Sequence, residues 1–399
     1  MSTTTTELLS PAGDFETVRA ACRFGADAVY LGGPALQMRA QKAAFTMDGI
    51  QEAAAYLHAH GKKLYVTVNS FAKNEEFPAL PAYAKALWEA GADAAIISDL
   101  GVLSVFREAA PGLPIHISTQ ANCQNYRAAQ AYAALGASRI VLARELTLPE
   151  IAEIRANTPP ELELEAFVHG AMCMAYSGRC FLSAYLTGRS ANRGECVQSC
   201  RWRYHLVEET RPGSYLPVEE EADGAAILSS HDLNCLSFLD AIREAGVMSL
   251  KIEGRMKTPY YVATVTNAYR RAIDHSAPES VLQEELLAVS HRPYASGFYF
   301  GDLKHPEPND GVYRQSCRFA AVVKSYENGR VTVEQRNRFV QGDRMEVVSP
   351  DSMGLSFLAE NLTDSWGNPV TAAPHAQERI TMDCPFALSE GDFLRVRTL

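Results

Sequence analysis

The sequence predicts an α/β protein built as a TIM-like (β/α)8 barrel, regular or distorted, with a cysteine-bearing insertion between strands seven and eight and a small C-terminal antiparallel β-barrel. Three observations carry this expectation. Eight short apolar runs are separated by amphipathic stretches, four cysteines fall within 28 residues, and strand-like alternation takes over from about residue 317.

The apolar runs are ELLSPAG (7–13), DAVYLGG (27–33), KLYVTVN (63–69), AAIISD (94–99), PIHIST (114–119), RIVLAR (139–144), LELEAFVHG (162–170) and SLKIEG (249–254). Each reads as a strand buried on both faces, as parallel sheets require. Their lead-ins echo one another: GADAVYLG, GADAAIIS, GASRIVLA and GVMSLKIE all place a glycine just before the strand. A helix ending in a left-handed residue uses glycine there. Strands alternating with helices imply a doubly wound sheet or a barrel, and a count of eight favours the barrel.

The alternation breaks at residues 171–248, which hold the cysteines, the acidic stretch EEEAD (219–223) and a further helix whose start is read at SSHDLN. In a barrel this insertion emerges at the C-terminal face, where active sites lie. From residue 317, RFAAVVKSY, ENG, RVTVEQR, QGDRMEVVSP and EGDFLRVRTL alternate apolar and polar residues between turn signals. The expected domains are therefore 1–304, a linker at 305–316, and 317–399.

With 399 residues, 47% of them hydrophobic, the chain can bury an ample core. No run approaches the roughly 20 apolar residues of a membrane span, and the start lacks a secretory pattern, so a soluble cytoplasmic protein is expected. In that compartment nine cysteines argue for metal rather than disulfides. A net charge of −10 disfavours nonspecific nucleic-acid binding. The charge is uneven, however. Residues 171–204 carry Arg179, Arg189, Arg193, Arg201 and Arg203 against Glu195. Residues 314–344 carry Arg314, Arg318, Lys324, Arg330, Arg336, Arg338 and Arg344 against Glu327, Glu334 and Asp343. Such islands suit a structured polyanion, or simply a solvated mixed-charge surface.

Cys173, Cys180, Cys196 and Cys200 are spaced C-x6-C-x15-C-x3-C. Four thiolates could supply zinc or an iron–sulfur cluster. Zinc sites use tight pairs, and only the last pair here is tight, so spacing leans towards iron and sulfur while leaving zinc open. Cys22, Cys317 and Cys384 read as small core residues, and Cys123 and Cys235 as core residues that could serve as spare ligands.

Barrel enzymes draw catalytic groups from the C-terminal ends of strands, here Asn69, Asp99, Gln120, Asn122, Arg144, Glu145, His169, Lys251, Glu253 and Arg255. Of these, Gln120, Arg144, His169, Lys251, Glu253 and Arg255 are the catalytic candidates. Lys251 and Glu253 can both face the barrel mouth, as function or as an ion pair. Arg144 and Arg255 offer forks that match carboxylate or phosphate. His169 could act as acid or base, tune a cluster, or be packed. Tyr176, Trp202, Tyr204, Tyr260 and Tyr261 could stack on an unpaired base, or sit in the core.

ELLSPAG, GADAVYLG, the block FVHGAMCMAYSGRCFLSAYLTGRSANRGECVQSCRWRY and SLKIEGRMKTPYYV together resemble the collagenase-like peptidases of family U thirty-two, through nearly the whole chain. Within that family the chain most resembles the branch that acts in tRNA hydroxylation. The resemblance implies a four-iron, four-sulfur (4Fe-4S) cluster on Cys173, Cys180, Cys196 and Cys200, with Cys235 the alternative fourth ligand. It also implies the tRNA anticodon region as substrate, wobble 5-hydroxyuridine as product and prephenate as co-substrate. Ferredoxin-like or iron–sulfur assembly proteins become expected partners. Relatives in ubiquinone hydroxylation lack the C-terminal barrel, and one acting on ribosomal RNA cytidine is longer, so the tRNA branch fits better. Two other functions compete: a peptidase, for which the chain offers neither HExxH nor G-x-S-x-G, and a zinc-stabilised, noncatalytic RNA-binding protein.

Overall fold

The computed structural model describes residues 6–38, 44–173, 175–202, 205–207, 215–217, 231–301 and 313–398. By packing, the chain divides into two units. The first holds residues 1–22, 26–257 and 291–313, and the second holds 23–25, 258–290 and 314–399. The segment 258–290, which the sequence reading placed with the barrel, thus clusters with the C-terminal residues. The expected linker, 305–316, lies largely outside the described residues.

The first unit is a closed barrel of eight parallel strands. Seven follow in order: β1 (Glu7–Pro11), β2 (Ala28–Gly32), β3 (Lys63–Val68), β4 (Ala94–Ile97), β5 (Ile115–Ile117), β6 (Arg139–Val141) and β7 (Glu163–Ala171). Each pairs in parallel with the next. The eighth, Ser249–Ile252, pairs in parallel with both β7 and β1 and closes the ring. The eight strands coincide with the eight apolar runs to within a few residues, because the centre of each run is buried.

Local chemistry fixes the connections. Gly91, Gly136 and Gly246, three of the glycines ahead of strands, have φ of 89°, 93° and 97°, the left-handed geometry expected of them. The helix Leu148–Ala156 opens with a capping box, in which the Thr147 hydroxyl accepts from the Glu150 N–H and the Glu150 carboxylate accepts from the Thr147 N–H. Among the described residues no helix is long and apolar enough to cross a membrane.

Two features of the insertion differ from expectation. DLN (232–234) is not a helix start but a strand, antiparallel to the end of β7, and the α-helix begins at Leu239. The strand Tyr294–Ala295 then pairs with it, and this small addition lengthens the wall at β7.

In the second unit, six antiparallel strands form a half-barrel in the order Ser356–Leu358, Arg344–Val348, Phe393–Arg397, Cys317–Glu327, Arg330–Gln335, Arg379–Asp383. Alternate residues such as Val331 and Val333 face a core with Phe339, Met345 and Ile380. Helices Pro259–Ile273 and Glu279–Leu287 belong to this unit. Tyr260 stacks on Phe319 at 5.0 Å, and Arg395 pairs with Glu285 and Glu346. Tyr260 and Tyr261 are thus buried side chains of a helix rather than stacking surfaces. Much of the basic character of this unit is spent internally, through Arg318–Asp343, Lys324–Glu334 and Arg336–Glu334 pairs.

Candidate active site

The C-terminal ends of the barrel strands and the cysteine segment together enclose a cavity of about 650 Å³ within the first unit. Its floor comes from the strands: Tyr30 of β2, Thr67 of β3 with Asn69 beyond it, Ile96, Ser118–Gln120, Val141, Arg144 and Glu145, Phe167, and Lys251, Glu253 and Arg255. Its roof comes from residues 172–200, including all four clustered cysteines. Elements far apart in sequence thus meet at one place because every strand ends there.

The roof is fastened to the strand ends. The backbone N–H of Ser177 donates to Glu145 at 2.8 Å. Gly178, with φ of 72°, lies so close that a Cβ would sit 2.1 Å from the Gln120 carbonyl oxygen, so only glycine fits. Arg193 donates to the Phe71 carbonyl and to both oxygens of Glu76. The side-chain amide of Asn192 donates to the Cys180 carbonyl at 2.9 Å, and the buried Ser183 hydroxyl donates to the Cys196 thiol at 4.0 Å. Cys173 and Cys196 are exposed to the cavity, with Cys180 and Cys200 half-buried, and none of the nine cysteines forms a disulfide.

The arrangement permits a test of which metal group these thiols fit. Among the described residues, no three His, Cys, Asp or Glu side chains converge closely enough to hold a single ion. All four clustered cysteines border the same cavity, and a sulfur-only donor set of this kind suits zinc or an iron–sulfur cluster. Cys235, the alternative ligand, is fully buried, lies outside the cavity lining, and has its thiol pKa pushed well up by burial. Cys123 is likewise buried, its thiol pushed up to about 11.

The charged floor is paired in a way the sequence did not suggest. Lys251 and Glu253 are not partners. The strand ends at Ile252 after a register shift, and the two side chains go to different neighbours. The Lys251 ammonium donates to Glu165 at 2.8 Å and lies 4.3 Å over the Tyr30 ring. Glu253 takes Arg144 at 3.3 Å, while Arg144 also donates to the Ala171 carbonyl at 2.7 Å and packs on the Phe167 ring. Arg255, nearly buried, donates to the Thr67 hydroxyl at 2.8 Å. These three cations are therefore held on the cavity floor with fixed geometry.

Below Lys251 lies a buried network. Arg139 reaches Glu7, Glu163 and Glu165 at 2.6, 2.6 and 3.0 Å, and Tyr65 and Ser249 each donate to Glu7. Arg139 holds the Glu7 carboxyl below the usual carboxylate range against the opposing effect of burial. Neither this network nor the fully buried Asp232–Arg292 pair, at 2.7 Å, was legible in the sequence. The partners are 60 residues apart in the second case, and only the fold brings them together.

Of the six catalytic candidates, Gln120, Arg144, Lys251, Glu253 and Arg255 line the cavity, and Asn69 and Glu145 join them. His169 does not. It is buried beside Tyr294, and burial, with His291 and Lys257 nearby, pushes its pKa down to about 3. Asp99 caps the helix Leu100–Ala109, and Asn122 accepts a hydrogen bond from Gln124. Neither lines the cavity. Tyr204 lies outside the described residues.

The position of His169 predicts acid sensitivity. Its native pKa lies below the unfolded value of about 6.5, so its contribution is complete above that pH and is lost as the unfolded chain takes up the proton between about pH 6.5 and 3. In urea titrations at about pH 7.5 and about pH 5, His169→Gln should show a smaller loss of stability on acidification than the parent. An equal loss in both proteins would remove His169 as the cause.

Residues 13–308 match Peptidase family U32, and residues 315–395 match the Peptidase family U32 C-terminal domain. The chain is 38% identical to tRNA hydroxylation protein P1 of Bacillus subtilis strain 168 over 92% of its own length and 89% of that protein's. It is 35% identical to tRNA hydroxylation protein P of Escherichia coli strain K12, covering 92% and 91%. A protein named Collagenase from Porphyromonas gingivalis is 34% identical, covering 74% and 73%. On the extent of these matches, which take in both the barrel and the C-terminal sheet, the chain belongs to peptidase family U32.

Proposed function

We propose that the chain is an iron–sulfur-dependent enzyme that modifies tRNA, hydroxylating the wobble uridine to 5-hydroxyuridine without molecular oxygen and with prephenate as co-substrate. The observation that carries this is that all four clustered cysteines line a barrel-mouth cavity that Lys251, Arg144 and Arg255 also line. Relatives named for tRNA hydroxylation that span nine-tenths of the chain support the substrate class.

The residues divide the work by chemistry. Cys173, Cys180, Cys196 and Cys200 would hold a 4Fe-4S cluster, and such a group supplies one-electron chemistry when bound. Exchanging C5–H for C5–OH withdraws two electrons from the base, which the cluster would pass one at a time to an external acceptor of the ferredoxin class. Arg255, fixed by Thr67, and Arg144, fixed by Glu253 and the Ala171 carbonyl, would receive the carboxylates of a small diacid, because guanidinium forks match carboxylates. Lys251, held by Glu165, adds positive charge without moving. A cavity of about 650 Å³ has the size of a typical small-ligand site.

Nucleoside mass spectrometry of tRNA provides the test. A strain lacking the gene and any redundant pathway should lose 5-hydroxyuridine derivatives and regain them with the intact gene. Undiminished derivatives in that strain would overturn the proposal.

A further inference from the structure

We propose that the exposed rings Phe181 and Tyr185, with Tyr176 at the cavity wall, form a stacking platform for unpaired nucleotides of an RNA loop. This rests on the RNA reading above and deepens it by assigning the side chains that would hold the unpaired bases.

Fifteen large hydrophobic side chains of the described chain are exposed, and five of them, Tyr176, Phe181, Tyr185, Leu186 and Trp202, fall between residues 176 and 202. Tyr176, Phe181 and Tyr185 are 62%, 72% and 76% exposed, far beyond what core packing leaves uncovered. Phe181 and Tyr185 lie one helical turn apart, with ring centroids 6.3 Å apart and planes 42° to each other. Tyr176 borders the same cavity as the four thiols.

Charge selects the partner. Arg179 and Arg189 are exposed in the same segment, and neither is held in an ion pair among the described residues, whereas Arg193 is committed to Glu76. Arg189 also borders the cavity. Residues 175–202 contain four arginines and one acid in a chain of net charge −10, so this is a cationic island on an acidic protein. Aromatic rings interleaved with guanidinium groups match bases and phosphates respectively. Base faces are available in unpaired loops and hidden in duplexes, so the platform selects single-stranded RNA.

The experiment uses the full-length protein purified without oxygen and measures fluorescence anisotropy with two probes, an RNA hairpin bearing an unpaired loop and a fully paired duplex of the same composition. The parent should prefer the hairpin. Phe181→Leu and Tyr185→Leu keep apolar bulk but remove the ring, and each should weaken hairpin binding on the order of tenfold. Phe181→Trp should retain it, and duplex binding and iron and sulfide content should not change. Parental hairpin affinity in both leucine variants overturns the platform while leaving the tRNA reading standing. If the parent binds neither RNA, the platform and the tRNA reading fall together. Leucine variants that keep hairpin affinity but lose turnover only with a protein electron donor would make this a protein-docking surface and overturn the platform.

Discussion

Serine at Cys173, Cys180, Cys196 or Cys200 is expected to strip the anaerobically purified protein of most of its iron and sulfide, with the visible absorption lost and 5-hydroxyuridine formation abolished in complemented cells. Alanine at Cys235 is expected to change none of these. The contrast follows from where the five thiols lie. The four clustered ones border one cavity, in a roof tied to the barrel through Glu145 and Glu76. Cys235 has no exposure, and its thiolate, the form that binds iron, is suppressed by burial. Metal analysis decides the matter independently of turnover. Full iron content in Cys200→Ser together with loss in Cys235→Ala would reverse the assignment, and one zinc in place of iron would favour the noncatalytic reading.

Glu165→Ala should cost about 3–5 kcal/mol of stability, the usual penalty for leaving buried charge uncompensated. Glu165 is completely buried and accepts from Lys251 at 2.8 Å and Arg139 at 3.0 Å. Arg139 would keep Glu7 and Glu163, but Lys251 would lose its carboxylate and the fixed position that follows from it. A loss this large is a substantial fraction of the roughly 5–15 kcal/mol that holds a typical domain together. Urea denaturation measures it, and a change below about 1 kcal/mol would show that the network is not under this electrostatic constraint. Glu165→Gln separates shape from charge, and its cost should be smaller because the amide oxygen can still accept from Lys251.

How much of this was legible in the sequence depends on the range of the interaction responsible. Strand positions are local: a run such as AAII is buried on both faces wherever it lies, and the glycine before it must turn the chain. The cavity floor was legible for a related reason, since a barrel gathers the ends of its strands, and Gln120, Arg144, Lys251, Glu253 and Arg255 were found by counting from those ends. Pairing was not legible. Lys251 and Glu253 look like natural partners at i and i+2, yet their nearest opposite charges come from β7 and from the segment after β6. Exposure was not legible either. Tyr176 and Tyr261 are equivalent in composition, yet one is open to solvent and the other is buried in a helix.

The short strand Asp232–Asn234 has a consequence for how this protein can change. Ala171 and Asp232 are direct cross-strand partners, so the insertion leaves and re-enters the barrel at a single point. Between them lie residues 172–231, and the buried Asp232–Arg292 pair secures the point of return. The cost of closing a chain between two fixed ends grows only slowly with its length, about 0.6 kcal/mol for each doubling in a flexible loop. With both ends of the insertion fixed by this one pairing, a change of length between Ala171 and Asp232 leaves the register of the eight barrel strands as it is.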